Sequence, residues 1–174
     1  MAFFAGTAGA ATGVELYSTD GTTVSLVKDI NPGAPSSNPT SFAIAGGKLF
    51  FNAAEATTGS ELYTSDGTAS GTTLVKNIET AAAGSSPYPI GDLGGKLLFS
   101  ASTAALGTEL WTSDGTTIGT TNLMDINSGT GTGFNNTLSD VYAKQGYNLI
   151  TNSQIFNGKF YFAGDDGPTE GNCG

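Results

Sequence analysis

An eight-residue phrase written three times leaves this chain few folds to choose from. Glu15-Leu16-Tyr17-Ser18-Thr19-Asp20-Gly21-Thr22 comes first, Glu61-Leu62-Tyr63-Thr64-Ser65-Asp66-Gly67-Thr68 second, and Glu109-Leu110-Trp111-Thr112-Ser113-Asp114-Gly115-Thr116 third. Leucine and an aromatic suit a pleated, buried surface. Asp-Gly then supplies a turn, because glycine accepts a positive φ and the aspartate can bond nearby backbone N–H groups. Each phrase therefore reads as a short strand running into a tight turn, with the threonine opening the next strand. Self-similarity at a fixed period marks a row of like units that share their cores.

The rest of the chain keeps the same beat. Asp20, Asp66 and Asp114 are spaced by 46 and 48 residues, and Lys28, Lys76 and Met124 by 48 and 48. The hairpin Gly46-Gly47-Lys48-Leu49-Phe50-Phe51 returns as Gly94-Gly95-Lys96-Leu97-Leu98-Phe99 and as Asn157-Gly158-Lys159-Phe160-Tyr161-Phe162. The first step is 48 residues and the second 63, so the third repeat carries an insertion between Ser128 and Thr151. One repeat domain, residues 1–174, is expected, with repeats near 3–50, 51–98 and 99–161, an insertion at 128–151, and the start of a fourth at 162–174. Within a repeat the pattern gives four strands, 42–45, 48–53, 61–65 and 72–78, with the Gly46-Gly47 pair as a hairpin turn. Leu49-Phe50-Phe51 is apolar on consecutive residues, so both faces of its sheet must be covered. A four-stranded sheet stacked between two like sheets meets that demand.

Phe4-Ala5-Gly6 through Thr12-Gly13 aligns without a gap onto Phe162-Ala163-Gly164 through Glu170-Gly171. The chain thus starts and stops at nearly the same point of the repeat. It reads either as a piece of a longer array or as a subunit whose terminal strands pair head to tail with those of neighbours, since unsatisfied edge strands recruit other chains.

The phrase Glu-Leu-Trp/Tyr-x-Ser/Thr-Asp-Gly-Thr, followed by Gly71-Thr72-Thr73-Leu74-Val75-Lys76 and the Gly-Gly-Lys-Leu-Phe-Phe hairpin, resembles the bacterial ELWxxDGT-type repeat proteins. The resemblance spans residues 3 to 171 and implies large secreted or surface-attached proteins built from four-stranded β-propeller blades. It departs from the pattern at Thr22-Thr23-Val24-Ser25, where the other repeats keep Gly71-Thr72 and Gly119-Thr120, and at Met124, where they keep a lysine. The expected fold is all-β, with repeated antiparallel sheets of propeller-blade type; a β-trefoil or an open stack of sheets are the alternatives. A propeller typically needs four to eight blades, so more sequence or another chain must complete the ring, and two copies would make six.

Composition bears on function mainly by exclusion. The 174 residues include no histidine, which removes the commonest general base and the imidazole metal ligand. Six lysines against fifteen carboxylates give a net charge of −9, a surface that repels phosphate backbones, so nucleic acid is not expected as a partner. No apolar run approaches a membrane span. Met1-Ala2-Phe3-Phe4 has no basic stretch and runs straight into the repeat, so a secretion signal for the expected extracellular or cell-surface location would lie outside this segment. The lone Cys173 has no internal partner for a disulfide.

Candidate sites follow from the repeated positions. Asp20-Gly21, Asp66-Gly67 and Asp114-Gly115 read as structural turns, with calcium ligation by the aspartates as the competing use. Glu15, Glu61 and Glu109 lie too far along the strand from those aspartates to form acid–base pairs. Tyr17, Tyr63 and Trp111 share one repeat position and serve either inter-sheet packing or glycan stacking. Asp165, Asp166 and Glu170 concentrate carboxylates in a weak Ca²⁺ candidate. The insertion, with Phe134, Tyr142 and Tyr147, is the one place where the repeat is broken, and such loops often carry function. The expectation is a non-enzymatic extracellular protein with a structural or adhesive role, a homo-oligomer or head-to-tail polymer. The alternative is a lectin-like, glycan-binding module, with or without calcium.

Overall fold

The computed structural model describes residues 1–9, 11–133 and 153–162. Thirteen strands and no helix run through those residues. Sheet 1 holds β1 (Ala2–Gly6), β2 (Glu15–Thr19) and β3 (Val24–Lys28). Sheet 2 holds β4 (Thr40–Ala45), β5 (Lys48–Glu55), β6 (Gly59–Ser65) and β7 (Thr73–Lys76). Sheet 3 repeats that order with β8 (Tyr88–Leu93), β9 (Lys96–Thr103), β10 (Gly107–Ser113) and β11 (Thr121–Met124). A hairpin of β12 (Ser153–Phe156) and β13 (Lys159–Phe162) follows. Every neighbouring pair is antiparallel and consecutive in sequence, so each sheet is a plain meander.

The strands expected in the second repeat are found, with shifted ends. The β5–β6 ladder runs further than expected, from Leu49 opposite Ser65 to Glu55 opposite Gly59. The last strand is shorter: it stops at Lys76, because the backbone beyond it turns its N–H groups toward the Glu61 carboxylate. Pro89 lies within β8, which is tolerated because β8 is an edge strand and its ladder slips between Pro89 and Gly91.

The consecutive apolar residues divide by the pleat, successive side chains pointing to opposite faces. Leu49, Phe51 and Ala53 of β5, with Tyr63, join Leu16, Val27 and Ile30 of sheet 1 in one core. Phe50 and Leu62 turn the other way, with Val75, and meet Leu97, Phe99, Ala101 and Trp111 of sheet 3. Leu98 and Leu110, on the far face of sheet 3, pack against Phe160 of the terminal hairpin. Sheet 2 is thus an inner layer, apolar on both sides.

The sheets approach most closely at their first strands, β4 and β8. A Cβ on Gly46 would lie 2.4 Å from the Gly95 carbonyl oxygen, and the Gly46 N–H bonds to Asp92 at 2.8 Å. Only a residue without a side chain, at φ 54°, fits there. At the opposite edge the gap is bridged by long side chains. Lys28 Nζ donates to the Thr72 carbonyl at 2.7 Å, and Lys76 Nζ to the Thr120 carbonyl at 2.9 Å. Lys76 also stands over the Trp111 ring, 5.9 Å from its centre.

A layer covered on both sides makes a direct prediction. Phe50→Ala and Phe51→Ala, adjacent in sequence but buried in different cores, should each destabilise the protein by about 3–5 kcal/mol in chemical denaturation. A small effect for either one would mean that its face is not a core.

Candidate functional site

Each phrase begins with a glutamate that is completely buried. Glu15 accepts hydrogen bonds from the Ile30 N–H at 2.8 Å, the Ser37 N–H at 2.8 Å and the Ser37 hydroxyl. Glu61 accepts from the N–H groups of Glu79 and Ser85, both at 3.0 Å, and from the Ser85 hydroxyl at 2.6 Å. Glu109 accepts from the Ile126 N–H at 3.1 Å and the Gly133 N–H at 2.7 Å. Removing a carboxylate from water costs several kcal/mol unless its lone pairs are met. Here they are met by donors that otherwise would be orphaned in loops leading from one sheet to the next. The glutamate is therefore a clamp: one side chain fixes both ends of the crossing between sheets. Gly133 stands where the other loops have Ser37 and Ser85, so the third clamp lacks the hydroxyl.

Burial pushes the Glu61 carboxyl up from the ordinary value, while the Ser85 hydroxyl and the loop N–H groups pull it back. The group binds a proton more readily folded than unfolded, so its own contribution to stability falls as pH rises above 4.5 toward its folded value.

The aspartates of the turns do a different job. Asp66 Oδ1 accepts from the N–H of Thr68 at 2.9 Å and its hydroxyl at 2.7 Å, and Asp114 accepts from the same two groups of Thr116 at 2.8 and 2.7 Å. Behind them runs a chain of bonds, from the Gly67 N–H to Ser65, from Ser65 to the Thr72 hydroxyl, and on to the Thr68 carbonyl. The third phrase copies it through Ser113, Thr120 and Thr116. This arrangement explains the glycine five residues after the aspartate. A Cβ on Gly71 would lie 2.1 Å from an Asp66 carboxylate oxygen, and one on Gly119 equally close to Asp114. Gly21, Gly67 and Gly115 have φ values of 94°, 93° and 88°, where a side chain is strained. The first turn is shorter: Leu26 faces Tyr17, as Leu74 faces Tyr63, but with two residues fewer between them. There Asp20 accepts from the N–H groups of Thr22 and Thr23, both at 2.8 Å.

Tyr17, Tyr63 and Trp111 are buried; the two tyrosines stack on Phe4 and Phe51 of the neighbouring strands, and Trp111 meets Phe99 at a tilt. Tyr63 donates its hydroxyl to Glu55, which together with burial pushes its pKa up. In this position the rings present no open platform to a sugar. Asp165, Asp166, Glu170, Cys173 and the insertion residues Phe134, Tyr142 and Tyr147 lie outside the described residues. Among the described residues, no three His, Cys, Asp or Glu side chains gather as a metal site, and no helix is long and apolar enough to cross a membrane.

Two features escaped the sequence reading. The clamp serines Ser37 and Ser85 were signalled only by their 48-residue interval, and the glutamates by their place inside a strand buried on both faces. No family model, curated protein or solved structure matches this chain. Fold and site together define an all-β protein of antiparallel sheets packed face to face.

Two measurements test these roles. Glu61→Gln places an NH₂ group against loop donors and should cost about 3 kcal/mol, on the order of 10 °C in melting temperature for a chain of this size. Glu109→Gln, with one partner fewer, should cost less; equal losses would contradict the clamp. Hydrogen bonds from Thr68 and Thr116 hold Asp66 and Asp114 below the ordinary value of 3.8. The stability these aspartates add is present above that value and lost as pH falls through their folded values. The double variant Asp66→Asn, Asp114→Asn should therefore show a flatter acid limb than the parent in denaturation below pH 4.

Proposed function

We propose that this chain is a non-enzymatic extracellular repeat protein, structural or adhesive in role, whose sheets act as blades of a propeller-like stack and which self-associates at its terminal strands. One observation carries the reading: sheet 1 has the strands and the apolar face of an inner layer, without an inner layer's partners. Its counterparts in sheets 2 and 3 each have a fourth strand alongside. Among the described residues, the outer edge of β1 pairs with none. On its outward face Leu26 is 44% exposed and Val24 61%, and the described apolar clusters take in neither. An edge and a face of this kind are where another chain adds.

The absence of histidine and the structural use of every described repeated carboxylate support a scaffold over an enzyme. Scaffold is also the stronger reading against a glycan-binding module, because all three repeated aromatics are buried and two of them, Tyr63 and Trp111, are spent on packing between sheets. A filament or a surface layer is the natural product of such an association, since head-to-tail contacts extend unless their rotation closes a ring. Calcium and other cofactors have no part in the proposal.

The test is the mass of the native protein in solution. Analytical ultracentrifugation should show assemblies of two or more copies, and Leu26→Asp, a change at an exposed position, should return the protein to a monomer. A parent that stays monomeric at every concentration would refute self-association.

A further inference from the structure

The sequence departs from its own pattern at Val24 and at Met124, the positions that correspond to the two sides of one repeated contact between sheets. Lysine in the last strand of one sheet reaches the backbone carbonyl of the threonine just before the last strand of the next: Lys28 to Thr72, and Lys76 to Thr120. The next lysine position is Met124, on β11 of sheet 3, and its side chain is 61% exposed. The threonine position in sheet 1 follows from strand register. Leu26 faces Tyr17 as Leu74 faces Tyr63, which puts Val24 where sheet 2 has Thr72. Val24 is likewise 61% exposed. Met124 therefore has no donor to offer, and at the position that would face it Val24 keeps the backbone carbonyl but presents an exposed apolar side chain.

Strand register adds a second match. β13 runs antiparallel to β12 with Phe160 opposite Ile155 and Phe162 opposite Ser153. Lys159 through Phe162 matches Lys48 through Phe51, as Phe4 matches Phe51 through its place opposite the phrase aromatic. β1 and β13 are therefore the same strand of the repeat, and β12 is the strand that sheet 1 lacks. β12 also stands beside sheet 3 as β8 stands beside sheet 2: Ile155 Cδ1 lies 3.4 Å from where a Cβ on Gly91 would be.

We propose that a second copy of this chain docks its sheet 1 on the outer face of sheet 3, with β1 of the incoming copy replacing β13 alongside β12 and Val24 set against Met124. This rests on the self-association proposed above and names its partner and its geometry. The shared sheet takes one strand from one copy and three from the next, giving the four-strand order of sheets 2 and 3. Leu98 and Leu110, now under Phe160, then meet the incoming face as Phe50 and Leu62 meet sheet 3. The junction lacks the lysine donor and sets the Met124 side chain beside Val24 in its place, so it differs chemically from the two junctions inside the chain.

Cross-linking decides the matter. In a Cys173→Ser background, Val24→Cys and Met124→Cys are made singly and together, both at exposed positions. The probe is a short bismaleimide, because a lysine stem spans the corresponding gap within the chain. The double variant should give a ladder of covalent multimers on denaturing gels, and each single variant none, as a head-to-tail contact requires. A mixture of the two single variants should give cross-linked dimers and nothing larger. Assemblies seen by ultracentrifugation but not cross-linked in the double variant would overturn this docking while leaving self-association intact; a monomeric parent would overturn both. Cross-links in a single variant mean a symmetric interface, and a cross-link within one chain means that sheets 1 and 3 of the same copy meet. Either overturns the proposal.

Discussion

A strand that is apolar on consecutive residues has no side to give to water, and this fold is largely a response to that fact. Phe50 and Phe51 are both fully buried, yet the pleat sends them to cores on opposite sides of sheet 2. A single sheet cannot bury both, and a two-layer sandwich can bury one. The sheets must stack, and each sheet added covers one face and exposes another. A stack of this kind has no natural end within its own pattern, so whatever closes it has to be supplied at the two outermost layers.

Stacking alone does not fix how the layers meet, and three polar devices do. At the inner edge, Gly46 lets β4 and β8 come close enough for backbone contact. At the outer edge, a lysine stem and a carbonyl span the wider gap. Between them, the buried glutamate holds the loop that crosses from one sheet to the next. Narrow at one edge and wide at the other, the layers fan rather than lie parallel. The bonds that set this fan are worth little each beside the apolar burial, but burial is non-directional and cannot choose an angle. The polar groups choose it.

Much of this was legible in the residues. Turn chemistry and the two-faced strand gave the sheets, their order and, within a few residues, their ends. The glutamates were harder, because a carboxylate in a strand reads as solvent-facing and its partners lie 15 to 24 residues away in loops without a pattern of their own. Nor did the spacing reveal that the glycine of Gly71-Thr72 is needed for the approach of a carboxylate rather than for a turn. That depends on where Asp66 folds back, which only three dimensions supply. The lysine register was visible, while its acceptor was not, since the bond joins one repeat to the next.

That last point bears on how a repeat protein controls its ends. Inside the chain every junction uses the same parts, so nothing in the parts themselves tells one junction from another. Met124 in place of the lysine breaks that sameness, because a junction made there lacks the Nζ donor and sets an apolar side chain beside Val24. A junction that differs from its copies in one contact can be told from them, and that is where specificity between like surfaces arises. On this view Val24 and Met124 are not lapses from the repeat but the feature that sets the junction between copies apart from those inside the chain.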